Sequence, residues 1–206
     1  MKKTIRYIVF LVMVALVVYN SVYFKRLDEV NAKTASFDAA KYAAGFWDAK
    51  LIPALSRAVP LSTLLPLLEH EKELAFDQYS HALGIGNVRY FLIKGQGRVV
   101  SVDENQVIIQ SDSSGKVRIA TEYIFGNAVR DASGAIDINA FENSMDFNNV
   151  SAEINGIIRT KVIPPFKSQV SKGDQVTYEG AIELNKAHPD LTNIEVIPIR
   201  LQTMNN

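Results

Sequence analysis

The sequence predicts an α+β protein in which an N-terminal membrane helix and a helical segment precede a small antiparallel β-barrel with one helix packed on it. Three observations carry this expectation. Residues 7–24 hold no charge. Apolar residues recur at three- and four-residue steps between residues 37 and 55, and from Gly84 onward short β-favouring runs alternate with turn residues.

The charge-free run follows Lys2, Lys3 and Arg6. Wound as a helix it would reach about 27 Å, near the hydrocarbon thickness of a bilayer. A cleaved signal has a shorter apolar core and a small-x-small cleavage site. Residues 17–22 supply poor sites, and a better one comes only at 32–35. The run is therefore expected to be a retained transmembrane anchor, with cleavage as the alternative. Tyr19, Tyr23 and Phe24 suit an interfacial belt. More cations precede the run than follow it at Lys25 and Arg26, which favours a cytoplasmic N-terminus. The expectation is a single-pass protein of the bacterial cytoplasmic membrane, its C-terminal domain on the periplasmic or extracellular side. The bacterial inner membrane would then be its first partner. Residues 1–26 form the anchor, 27–83 a helical segment, and 84–206 the β-rich domain.

In "SFDAAKYAAGFWDAKLIPAL" the residues Phe37, Ala40, Ala44, Trp47, Leu51 and Leu55 share one helical stripe. Ser36 is the expected N-cap, and Pro53 bends or ends the helix. A second helical region covers "PLSTLLPLLEHEKELAFDQYSHALG", capped by Ser62 or Thr63, with Pro66 in its first turn and Gly84 as the stop. Trp47 reads as a core residue rather than a ligand platform.

Strands follow at 88–93, 98–102, 106–110 and 116–119, joined by the short connections 103–105 and 111–115. Gly84, Gly86, Gly95 and Gly97 lack the G-x-G-x-x-G spacing of a dinucleotide fold and read as turns and bulges. Residues 121–147 read as strand and turn, broken at Gly126 and at Ser133-Gly134. A helix is expected near 148–163, ended by Pro164-Pro165. Two more strands cover 176–184 and 194–201, with "KAHPD" as a loop between them. Strands, a helix and returning strands suit a Greek-key barrel of the OB-like kind.

The stretches "FDAAKYAAGFW", "KGQGRVVSVD", "GNAVRDASG", "INAFENSMDFNNVSAEIN" and "SKGDQVTYEGAIELN" together resemble the DUF2291 family of predicted periplasmic lipoproteins. The resemblance spans nearly everything after residue 27. It implies an accessory role in the cell envelope beside components of a sugar-type ABC transporter, and it brings no established activity. This chain has no cysteine, so it lacks the lipobox residue of that description.

The chemistry on offer is sparse. Lys and Arg number 22 against 22 Asp and Glu, so no basic surface calls for nucleic acid. Without cysteine there is neither a disulfide frame nor a thiolate ligand. Of the three histidines, His70 sits among Glu69, Glu71 and Glu73 without metal-ligand spacing, His81 suits a helix end, and His188 a loop. No nucleophile elbow or Ser–His–Asp set appears. Asp131 and Asp137 would form a carboxylate pair only if the turn between them folded tightly. The chain is accordingly read as no enzyme, with no cofactor and no metal. The best polar cluster is Asn127, Arg130 and Asp131, followed by Asn143 and Asn155. Arg130 beside Asp131 could clamp a loop or present a fork to a carboxylate. The leading function is a membrane-tethered extracytoplasmic accessory or interaction protein associated with an ABC transporter. The alternative is a small-ligand or lipid-binding envelope protein.

Overall fold

The computed structural model describes residues 2–21, 37–111 and 115–204. The chain divides into two units, Met1–Phe37 and Asp38–Asn206. In the first, helix α1 covers Lys2–Ser21. Lys2, Lys3 and Arg6 fall within its first two turns, and its charge-free part, 7–21, amounts to about 22 Å. A bilayer core needs roughly 30 Å. Among the described residues no helix is long and apolar enough to cross a membrane. That corrects the expected transmembrane helix. The single-pass topology, the periplasmic or extracellular placement and the inner-membrane partner rested on that helix and fall with it. So does the tethered accessory role beside ABC transporter components. Tyr23, Phe24, Lys25 and Arg26, and the expected cap Ser36, lie outside the described residues.

The second unit begins with helix α2 (Ala39–Phe46), capped by Asp38, whose side chain accepts from the Lys41 amide at 2.9 Å. A π-helical turn, Trp47–Leu51, then leads into α3 (Ile52–Ala54) and a 3₁₀ turn, Leu55–Arg57. The wide turn inserts an extra residue into the helical register. Ala43 and Phe46 before it are buried with Leu51 at its end and Ala54 and Leu55 after it. The expected stripe is corrected accordingly: Ala40 and Ala44 are exposed and Trp47 is only half-buried.

Helix α4 (Leu61–His70) starts earlier than expected, with Pro60 at its N-cap position and Pro66 inside it. The chain breaks at Glu71 and resumes as α5 (Lys72–Tyr79). Strand β1 (Val59–Pro60) precedes α4, and β2 (Ser80–His81) follows α5, so the second helical stretch stops well before Gly84.

The two expected strands 88–93 and 98–102 are one bent strand, β3 (Val88–Val102). It is followed by β4 (Gln106–Ser111), β5 (Gly115–Ala120), β6 (Gln175–Asn185) and β7 (Ile194–Thr203). The order is β1-β3-β4-β5-β7-β6, and β6 returns to pair with β3, closing five strands into a barrel. The sheet is mixed, not antiparallel as expected: β5 runs parallel to β7 and β1 parallel to β3. A single sequence shows each strand's period but not its partner, so the parallel pairs were invisible there. Gly97 permits the curl, since a β-carbon at this position would collide with the Gln110 carbonyl of β4.

Alternate residues of these strands fill the interior, among them Phe91, Ile93, Ile109, Ile119, Val176, Tyr178 and Val196. Leu61, Leu64 and Leu68 of α4 and Phe76 of α5 join the same core. Phe76 meets Phe91 edge to face, with ring centroids 5.1 Å apart.

Residues 121–124 carry no strand. A short helix, α6 (Ala128–Ala132), packs outside β3 and β6. Helix α7 (Ser144–Ile157) begins four residues before the expected 148. It passes through a π-helical turn, Ile158–Val162, into α8 (Ile163–Lys167). Pro164 and Pro165 therefore open a new helical turn instead of ending the old one, because a first turn has no amide partner to lose.

Candidate functional site

The sequence-predicted cluster separates into three places. Arg130 and Asp131, adjacent on α6, are 3% and 2% exposed. The guanidinium grips its neighbour with two bonds, Nε to Oδ1 at 2.6 Å and the Nη2 to Oδ2 at 3.1 Å. Its remaining Nη1 donates to the Ser151 hydroxyl at 2.8 Å and the Phe147 carbonyl at 3.3 Å. The charge also lies 3.5 Å from the centre of the Phe147 ring. Asn127 completes the set, donating to Asp131 at 2.7 Å and accepting from the Tyr90 hydroxyl at 3.2 Å. Burial, then the Glu183 and Asp131 charges, push the Tyr90 phenol up, opposed by Arg130 and the Asn127 bond. This network ties α6 to α7 and to β3 through internal partners.

Asn155 is buried on α7 and donates to the Gly126 carbonyl at 2.8 Å. With Asn127, Ser151, Phe125 and Arg159 it lines a cleft of about 470 Å³. Asn143 lies elsewhere, capping α7 through the Asp146 amide at 2.8 Å. Asp137 accepts from the Asn139 amide at 2.9 Å and does not pair with Asp131. Glu73 pairs with Lys186 at 2.8 Å. Among the described residues no group of three His, Asp or Glu side chains could hold a metal ion.

A second pocket, of about 520 Å³, has a different character. It lies beside the start of α4 and the middle of β3, with β6 and β7 contributing. Strand register explains its lining. Lys94, Glu179 and Arg200 stand opposite one another across β3, β6 and β7, and Gln96, Thr177 and Gln202 form the next such row. Glu179 is engaged by Arg200 at 2.7 Å. The Lys94 side chain has no ion pair or hydrogen bond among the described residues. Between the rows, Gly95 faces Tyr178. The space a β-carbon would take on Gly95 is filled by the Tyr178 ring and hydroxyl.

Tyr178, one of the lining residues, is 1% exposed, and its hydroxyl is buried without a hydrogen-bond partner. Burial pushes this phenol up to about 12, with the Ser111 side chain pulling the other way. The group thus stays protonated at neutral pH and is a ready donor. Ser62, at the start of α4, also lines the pocket, and no side chain caps that helix. Sequence reasoning missed this site. Its traces were "KGQG", a basic residue before a glycine on a strand, and "TYEG", a tyrosine between two polar positions of a strand.

A family model described as "Predicted periplasmic lipoprotein (DUF2291)" matches residues 12–202. The crystal structure of an OB-fold protein from Thermotoga maritima superposes with a TM-score of 0.74 at 26% sequence identity, covering 82% of this chain and 99% of that one. Comparison with curated proteins finds no match.

Proposed function

The chain belongs to the DUF2291 family, and from that premise we propose that it is a small-ligand-binding protein whose site is the pocket around Tyr178, binding its ligand without turning it over. The observation that carries this reading is the buried, unpartnered hydroxyl of Tyr178, a residue that lines a pocket of ligand size. An unpaired buried hydroxyl costs about 1–3 kcal/mol. A ligand acceptor would recover that cost, so the strain falls where binding relieves it. The two rows of Lys94, Gln96, Glu179, Arg200 and Gln202 suit a polar molecule better than an acyl chain.

Amide chemical shifts of the full-length chain, followed by NMR during titration with a panel of small polar molecules, test the reading. Shifts should concentrate at Ser62, Gly95 and Thr177 and shrink in Tyr178→Phe. A response centred on Phe125 and Asn155 would move the site to the other cleft and overturn this assignment.

A further inference from the structure

We infer that the ligand carries a compact oxyanion, a carboxylate or a phosphate, seated in the pocket that the start of α4, Lys94 and Tyr178 line. The inference rests on the small-ligand reading and adds the chemistry of the ligand. Three features of the pocket point to it, and each is a donor without a matching acceptor. The first turn of an α-helix leaves amides that no carbonyl within the helix can accept from. In α4 no side chain takes that role, and Ser62 of this turn borders the pocket. Such a terminus carries partial positive charge and favours an anion.

The second feature is independent of the helix. Tyr178, which lines the same pocket, carries a phenol that is almost fully buried and unpartnered. Its high pKa keeps the proton on the oxygen, so it donates to an acceptor instead of repelling one. The third is the charge balance. The pocket's one lining carboxylate, Glu179, faces Lys94 across the strand pair, yet it bonds to Arg200 on its other side. That leaves the ammonium of Lys94 as the uncompensated charge of the lining. Donors of three kinds around one half-buried cation suit a small anion and not a cation or a purely neutral polyol.

Three probes distinguish the outcomes: inorganic phosphate, glycerate as the carboxylate, and glycerol as the neutral control. Each is titrated into the full-length chain at low ionic strength, with amide shifts at Ser62 and Gly95 as the readout. Phosphate or glycerate should bind at this pocket and glycerol should not. Which anion binds more tightly identifies the oxyanion. Lys94→Gln should weaken the anion about tenfold or more, the effect of losing one charge-assisted bond. Tyr178→Phe should weaken it by a smaller factor, and both variants should keep the wild-type amide pattern elsewhere. Glycerol binding here while neither anion does, or anion binding unchanged in Lys94→Gln, would overturn the oxyanion and leave the small-ligand reading standing. No response at this pocket to any of the three would overturn both.

Discussion

At the scale of single residues, two buried polar groups make opposite demands. Tyr178 holds a hydroxyl with no partner, so deleting it should help the empty protein. Tyr178→Phe is expected to raise unfolding free energy by about 1 kcal/mol in urea titrations, while weakening ligand. A loss of stability would mean that the hydroxyl is bonded in solution. Arg130 is the reverse, because every arm of its guanidinium is occupied inside the protein. Arg130→Ala strips the partner from a buried carboxylate and should cost about 3–5 kcal/mol by the same measurement. A variant of wild-type stability would return Arg130 to the surface chemistry that its sequence neighbourhood also allowed. The Arg–Asp pair was legible because the two residues are adjacent in the chain. Tyr178 was not, because its missing partner is a property of β3 and β4 folded around it.

At the scale of elements, local signals were sound wherever the local backbone was regular. Apart from β3, which was split in two, the barrel strands read correctly from their alternation, as in β6, where Val176, Tyr178 and Ile182 are buried. Helices went astray at the two π-helical turns, where an added residue resets the face that packing selects. No residue type announces that insertion. One inter-element contact is also pH-sensitive. The His81 ring of β2 packs over Gly134, just beyond α6, where a side chain would collide with it. Burial, and secondarily the Arg57 charge, lower its pKa below the ordinary 6.5. Between 6.5 and that depressed value the unfolded chain binds more protons than the folded one. This contribution to stability is therefore present in full above pH 6.5 and declines as pH falls through the window. Denaturation midpoints measured from pH 7.5 down to about 5 should fall less in His81→Gln than in the parent. Parallel declines in the two proteins would exclude His81 as the cause.

At the scale of the whole molecule, a helical segment before a small OB-like barrel was legible, because turn residues and strand periods mark both, but the mixed sheet was not. The parallel β5–β7 contact was hidden, since it joins segments separated by α6, α7, α8 and β6. Nor was it legible that, among the described residues, no helix is long and apolar enough to cross a membrane. The long-range closure has a consequence for synthesis. Strand β3 bonds to β4 directly after it, but its first part, from Val88 to Arg98, pairs with β6. On the ribosome that edge must wait until Gln175–Asn185 has emerged. Pairings of such sequence separation form slowly and leave strand edges open to misassociation. Nascent chains arrested with residue 165 just outside the exit tunnel should be cut by a brief protease pulse within 88–98. Chains arrested with residue 204 clear of the tunnel should resist the same pulse. Equal protection of both would mean that another segment covers the edge first, and that β6 later displaces it.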